Sequence, residues 1–224
     1  MIDYELLHNE VVSILKLKGD PVGYRLYSDI PEDLPYLRDN LALCQVIKQV
    51  AVYGKPIAVH SENVDACVLG SYVLGLKQLP EDLAERWVKY RGFTREIYEE
   101  MIRKTHVFEA GKYKSALFAP LKHFKTIQLD PDGVVLIVNS TQAYLVLANY
   151  FSATGIKPVS DFNGYIACEL LVPPVKGRSP WLTVPCGGAR GLAEAQDDEL
   201  WISMKPEHLE KTMSRMKQTG AKYP

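Results

Sequence analysis

Two segments of this 224-residue chain show the same order of features: a glycine and a Lys-Pro pair, an extended run, and an Ala-Cys pair. This repeat constrains the fold more than any other feature of the sequence. Gly54-Lys55-Pro56 is followed by an extended run and then by Ala66-Cys67, which opens a helix. Gly155-Ile156-Lys157-Pro158 is likewise followed by an extended run and by Ala167-Cys168 at the start of a helix. We interpret the repeat as an internal duplication. The alternative is a chance match, because helices commonly end at a glycine that is followed by a proline and a strand.

The pattern along the chain predicts the α/β class, a mixed α+β fold in which two similar strand-helix-strand-helix units surround a mixed sheet. Runs rich in β-branched and aromatic residues predict strands at 22–27, 56–60, 112–120, 134–138, 181–184 and 200–204. Helical spacing of apolar residues predicts helices at 2–17, 41–53, 65–76, 80–104, 139–153, 164–172 and 206–217. We expect one domain over residues 1–224, with two pseudo-repeated lobes (about 20–80 and 112–175) and a C-terminal strand-helix segment, 181–218.

The composition narrows the classes of partner. With 47% hydrophobic residues and a net charge of −1, the chain gives no electrostatic reason to expect nucleic acid or a membrane surface. Its longest apolar runs, such as 143–148, are too short to span a bilayer. The N-terminus lacks the basic start and apolar stretch of a signal peptide, so we expect a cytoplasmic protein with reduced cysteines. Whether the chain forms a homo-oligomer is left open.

The stretch from Trp181 to Gly191 joins a strand to a thiol, glycines and a cation. Gly187 and Gly188 allow the backbone to approach a ligand closely, and their N–H groups can bind an anion. Arg190 adds a planar fork that suits a carboxylate or phosphate. We therefore predict a site for a small anionic ligand at Gly187, Gly188 and Arg190, with Arg190 also a candidate catalytic residue. The same residues fit a plain turn in which Arg190 pairs with Asp197, Asp198 or Glu199.

The four cysteines, Cys44, Cys67, Cys168 and Cys186, are candidate metal ligands. They form no Cys-x-x-Cys pair, so the strong local signature of a zinc ribbon or a ferredoxin-type cluster is absent. Cys67 and Cys168 lie near predicted helix N-termini, where the helix dipole favours thiolate. Four convergent thiolates would hold an iron–sulfur cluster of the [4Fe–4S] type or, as the alternative, zinc. Four independent buried cysteines that act as small hydrophobes are the other interpretation.

His60 follows a predicted strand and precedes the Cys67 helix, a position where α/β sheets place ligands. It is a candidate catalytic residue, as a general acid–base. A lone histidine at a strand end is also typical of a satisfied surface residue.

Several short motifs together resemble the prokaryotic family known as domain of unknown function 169, an archaeal conserved region. The resemblance covers nearly the whole chain, and its motifs include Leu17-Lys18-Gly19-Asp20-Pro21, Leu43-Cys44-Gln45, Ala66-Cys67, Gly111-Lys112-Tyr113-Lys114, Asp132-Gly133-Val134-Val135, Ala167-Cys168, Pro185-Cys186-Gly187 and Asp197-Asp198-Glu199. The family pattern has cysteines at positions that match all four here, which implies a shared site. It usually has Gly-Asp-Arg where this chain has Gly188-Ala189-Arg190, so any role that needs a carboxylate beside Arg190 is in doubt. The resemblance implies a site and no substrate.

Three functions follow as hypotheses. The first is a cytoplasmic metal- or iron–sulfur-binding protein that acts as a redox or Lewis-acid enzyme on a small anionic molecule. The second is a metal-free enzyme with Cys67 or Cys168 as nucleophile and His60 as base. The third is a non-catalytic module that binds a ligand or partner between the two lobes.

Overall fold

We describe the protein from a computed structural model that covers residues 2–162 and 164–220. The strands found there are β1 (Val22–Tyr27), β2 (Ile57–His60), β3 (Ser115–Pro120), β4 (Gly133–Val138), β5 (Trp181–Thr183) and β6 (Leu200–Met204). The α-helices are α1 (Tyr4–Leu15), α2 (Leu43–Tyr53), α3 (Val68–Val73), α4 (Leu83–Arg91), α5 (Arg95–Lys104), α6 (His123–Thr126), α7 (Ser140–Thr154), α8 (Val172–Val175), α9 (Gly187–Leu192) and α10 (Pro206–Thr219), and a 3₁₀ helix covers Ala167–Leu171. No helix in this part of the chain is long and apolar enough to cross a membrane.

The six strands form one sheet in the order β2-β3-β1-β4-β6-β5, and every neighbouring pair is antiparallel. The predicted α/β class with mixed helices and strands is confirmed, but the sheet is antiparallel rather than mixed. The reason lies in the order of the strands. β1 and β2, which α2 connects, do point the same way, but β3 lies between them and runs opposite to both. β6 separates β4 from β5 in the same manner.

Helices cover both faces of the sheet because successive strand residues point to opposite sides. On one face, Tyr24, Phe118 and Trp201 are buried together with α2 and the 3₁₀ helix. We call it the cysteine face, since Cys44, Cys168 and Cys186 also pack there. On the opposite face the apolar sides of α1, α7 and α10 cover Leu136 and Ile202.

The internal duplication is not confirmed by the structure. A twofold rotation that exchanges the antiparallel strands β1 and β4 runs perpendicular to the sheet, so it keeps each helix on its own face. The helices that the repeat pairs, α2 and α7, instead lie on opposite faces. In addition, the predicted extended run at 156–162 joins no strand of the sheet, whereas its counterpart forms the edge strand β2. The repeated punctuation therefore reflects local signals and not two superposable units.

The charged segment predicted as one helix at 80–104 is two helices, α4 and α5, separated at Gly92. Gly92 adopts the left-handed conformation that ends α4, and Thr94 starts α5 by accepting a hydrogen bond from the Ile97 N–H at 3.3 Å. Phe93 between them is buried, and its ring meets the ring of Trp87 at 5.2 Å. This break directs the end of α4 over the cysteine face.

Candidate functional site

A pocket of about 360 Å³ opens on the cysteine face, and all four cysteines of the chain line it. Three of them are buried, with exposed fractions of 2% for Cys44, 5% for Cys168 and 9% for Cys186, and Cys67 is half-buried. All four are free thiols. The volume lies near the small end of the range for ligand pockets. Residues that are far apart in the sequence are thus brought to one place.

Each cysteine lies at the start of a helical segment. Cys44 is the second residue of α2, Cys67 directly precedes α3, Cys168 is the second residue of the 3₁₀ helix, and Cys186 directly precedes α9. Close packing holds α3 against α2, because a Cβ placed on Gly70 would lie only 2.7 Å from the Cβ of Leu43. A glycine at position 70 is therefore required to bring Cys67 near Cys44.

The first turn of α2 supplies backbone N–H groups to the sulfurs. The residue before α2 is Ala42, which has no side-chain acceptor to cap the helix. Gln45 turns back instead, and its Oε1 accepts the Ala42 N–H at 2.9 Å. Burial has the larger effect and raises the pKa of both thiols, but the Gln45 N–H lowers the pKa of Cys44 and the Cys44 N–H lowers that of Cys168, so both N–H groups favour the thiolate.

Burial keeps the thiols of Cys44, Cys67 and Cys168 protonated. Burial and, to a smaller extent, the neighbouring thiols of Cys186 and Cys67 raise the pKa of Cys44 to about 12, because thiolates repel one another. Burial also raises the pKa of Cys67 and that of Cys168. The expectation that helix N-termini favour thiolate at Cys67 and Cys168 was wrong in sign, since burial outweighs the backbone N–H groups. Without a cation in the pocket, the thiols of Cys44, Cys67 and Cys168 are neutral.

Within residues 2–162 and 164–220, no three His, Cys, Asp or Glu side chains are placed to hold a metal ion as they stand. The tight tetrahedron that a zinc ion requires is therefore not formed by the described side chains. What the pocket provides is a set of four soft donors, the ligand type that iron–sulfur clusters use.

One wall of the pocket is cationic and aromatic. Arg91, the last residue of α4, lies over the Trp87 ring with 5.9 Å between the guanidinium carbon and the ring centroid. Its Nη1 is 3.6 Å from the position of a Cβ built on Gly187, and its charge favours the thiolate of Cys67. Tyr165 lines the same wall, and its ring meets Trp87 at 5.9 Å. None of the described residues that line the pocket is acidic.

The other predicted site residues divide into two groups. Gly187 and Gly188 line the cysteine pocket, as an anion site there would require. Arg190 does not, because its guanidinium is exposed and pairs with Asp197 at 3.2 Å. The structure therefore places Arg190 in the plain turn. His60 is also absent from the lining; its ring packs against Tyr36 at 5.2 Å.

Sequence reasoning missed Arg91 and Trp87. The segment at 80–104 is rich in charge, a pattern typical of a solvated face, and no spacing within it indicates which charge faces a site. The only local signal was Gly92-Phe93, a helix stop followed by a large apolar residue, which marks the break that ends α4 with the exposed Arg91 at the pocket.

A second pocket, of about 240 Å³, lies between Lys48, Asn139, Gln142 and Glu199. Its central charges neutralise each other, because Lys48 and Glu199 form an ion pair. Among the described residues its lining contains neither a thiol nor a histidine. The cysteine pocket is therefore the candidate site.

Comparison with known proteins places the chain in a family. The model of DUF169, described as an uncharacterised ArCR, matches residues 10–215. The chain belongs to this family. An uncharacterised protein of Methanocaldococcus jannaschii is 24% identical to it over 187 residues, which cover 81% of this chain and 78% of the relative. No solved structure matches the chain. The resemblance to DUF169 is thereby confirmed, and the cysteine pocket of this DUF169 protein is built from residues inside the matched region.

Proposed function

We propose that the protein binds an iron–sulfur cluster of the [4Fe–4S] type through Cys44, Cys67, Cys168 and Cys186, and that it acts on a small anionic molecule in the same pocket. The observation that carries the proposal is the position of every cysteine of the chain on one pocket wall. Four cysteines that served only as small hydrophobes would have no reason to share a cavity.

A cluster fits this pocket better than a single ion does. A zinc ion holds sulfur ligands about 2.3 Å from its centre, so its four thiolates must nearly touch. The described side chains form no such group. A cluster contributes its own irons and sulfides, so its cysteines stand farther apart around a larger space. The four thiols line a pocket of about 360 Å³, which offers such a space.

The surroundings suit a buried redox centre. Hydrogen bonds to cluster sulfurs and exclusion of water are two ways in which a protein sets the reduction potential of a cluster. Here the N–H groups of Cys44 and Gln45 favour the thiolates of Cys168 and Cys44, and three of the four cysteines are buried. When bound, the cluster would supply one-electron transfer or, at an iron left open, a Lewis acid.

The cysteine-nucleophile hypothesis has less support. A cysteine nucleophile requires a lowered thiol pKa and a base within hydrogen-bond reach. Burial instead raises the pKa of both Cys67 and Cys168, and His60 does not line the pocket.

Anaerobic purification tests the proposal. We expect a brown protein whose iron and acid-labile sulfide are present in equal amounts, with little zinc. A chelator should remove the colour and release four titratable thiols. A colourless protein that gains neither iron nor sulfide on anaerobic reconstitution, and whose four thiols titrate at once, contradicts the proposal. Stoichiometric zinc in place of iron would also contradict it.

A further inference from the structure

We propose that Arg91, held against Trp87, binds the carboxylate of a small organic acid whose apolar part lies in the cysteine pocket. This inference deepens the proposed function and rests on it for the role of the bound acid, which would lie beside the cluster.

Among the residues that the structure describes, Arg91 is an exposed cation that lines the pocket and has no ion-pair partner. Across the described residues, no Asp or Glu lies within ion-pair distance of it, whereas the other lining arginine, Arg86, is paired with Asp82 at 3.2 Å. The Trp87 ring supports the Arg91 guanidinium from one side and leaves its fork of N–H groups available. One free guanidinium matches the geometry and charge of one carboxylate. A phosphate dianion would call for a second free cation.

The other residues that line the pocket determine which kind of body the bound acid can have. Trp87, Tyr165, Ile166, Val68 and Leu69 present apolar surface, and the described lining holds no acidic residue that would repel an anion. An acid with a flat or branched apolar body therefore fits better than a highly hydroxylated one. The thiols line the same pocket, so the cluster site would lie next to this body.

Gly187 and Gly188 keep the space between Arg91 and the thiols open. Neither needs a left-handed backbone, and a Cβ would make only ordinary contacts, 3.6 Å from Arg91 Nη1 at Gly187 and 3.7 Å from Cys186 Sγ at Gly188. Both lie in α9, where glycine is less stabilising than alanine. The fold alone thus favours alanine at these positions, and the missing methyl groups leave room for a ligand.

Isothermal titration calorimetry on the anaerobically purified full chain tests the inference, with benzoate, acetate and inorganic phosphate as probes. We expect saturable benzoate binding that is tighter than acetate or phosphate binding. Arg91→Gln should weaken benzoate binding by at least about tenfold, since a charge-assisted hydrogen-bond pair is lost. Arg91→Lys keeps the positive charge but lacks the planar fork of N–H groups. Its benzoate affinity should lie between those of the unchanged protein and Arg91→Gln. Arg190→Gln, which changes the arginine outside the pocket, should bind as the unchanged protein does.

Equal benzoate affinity in Arg91→Gln, tighter binding of phosphate than of benzoate, or no saturable binding would each overturn the inference. Iron content, measured on the same samples, separates it from the proposed function. Arg91-dependent benzoate binding in a protein without iron upholds the acid site and removes the cluster. Loss of iron together with benzoate binding in Arg91→Gln would make Arg91 a charge partner of the cluster and overturn the acid site.

Discussion

Cys44 and Cys168 lie close enough together for the Cys44 N–H to favour the thiolate of Cys168, at the point where the first turn of α2 meets the 3₁₀ helix in the cysteine pocket. The two residues belong to different halves of the chain, and both are buried. A protein gains little from placing two thiols beside one another, because each disfavours ionisation of the other. The arrangement would become favourable if an iron–sulfur cluster supplied the opposite charge, as we propose.

Cys168→Ser should therefore remove most of the bound iron, because a serine hydroxyl is a hard ligand that suits iron–sulfur clusters poorly. The measurement is iron and sulfide content after anaerobic reconstitution. Val146→Thr is a matched control, since it also buries a new hydroxyl, but in α7 on the opposite face of the sheet. We expect Val146→Thr to lose stability and keep its iron. Equal iron in both variants would contradict the role of Cys168.

Gly187→Ala should stabilise the metal-free protein and weaken ligand binding. Alanine in place of glycine in a helix adds about 0.5–1 kcal/mol to the free energy of unfolding. The added methyl would stand 3.6 Å from Arg91 Nη1, in the space assigned to the ligand. Urea unfolding and benzoate titration measure the two effects.

Gly191→Ala provides the control, because it lies in the same helix with nothing within 4 Å of an added Cβ. It should raise stability similarly and leave benzoate affinity unchanged. If Gly187→Ala also leaves affinity unchanged, the space opposite Arg91 is not used by the ligand.

Gly70→Ala should have the opposite effect on stability. Its Cβ would lie 2.7 Å from the Cβ of Leu43, so α3 must move away from α2 at a cost of about 1–3 kcal/mol. That movement carries Cys67 away from Cys44, so iron content should fall together with the urea midpoint. A variant that is destabilised but binds iron fully would show that Cys67 is not a ligand.

His8 should make the protein sensitive to mild acid. Burial lowers the pKa of its imidazole, which lies against Asp20 at 3.1 Å. The unfolded chain then binds more protons than the folded one as pH falls below about 6.5, so stability is full above that pH and decreases below it. Burial also lowers the pKa of His123 and of His208, which act in the same direction.

Urea unfolding between about pH 8 and about pH 5 checks this dependence. The free energy of unfolding of His8→Gln should change less over that interval than that of the unchanged protein. A steeper dependence in the variant would contradict the assignment.

The sequence contained most of the local structure. The strands predicted at 22–27 and 200–204 match β1 and β6, and Asn139 caps α7 through the Gln142 N–H as its residue type allows. These features depend on neighbouring residues, which a sequence displays. The order of the strands depends on which distant segments pack together, so the insertion of β3 between β1 and β2 left no local signal.

The sequence was enough to propose the four thiols of the candidate site, but it did not indicate which arginine lines the pocket. Cysteines are few and chemically distinct, so four of them could be proposed as a set. Arg190 stood beside Cys186 in the sequence, but in the folded chain Asp197 pairs with it, and Arg91 reaches the pocket through the break at Gly92. Proximity along the chain was a poor guide to proximity in space.

Mössbauer spectroscopy of iron-isotope-labelled protein, reconstituted under anaerobic conditions, tests the central claim most directly because it identifies the ligands and the coupling of every iron. The account predicts irons in tetrahedral sulfur coordination, coupled in a diamagnetic [4Fe–4S] cluster, with the signal lost in Cys168→Ser and kept in Val146→Thr. Isolated iron with oxygen or nitrogen ligands, or no bound iron at all, would contradict it.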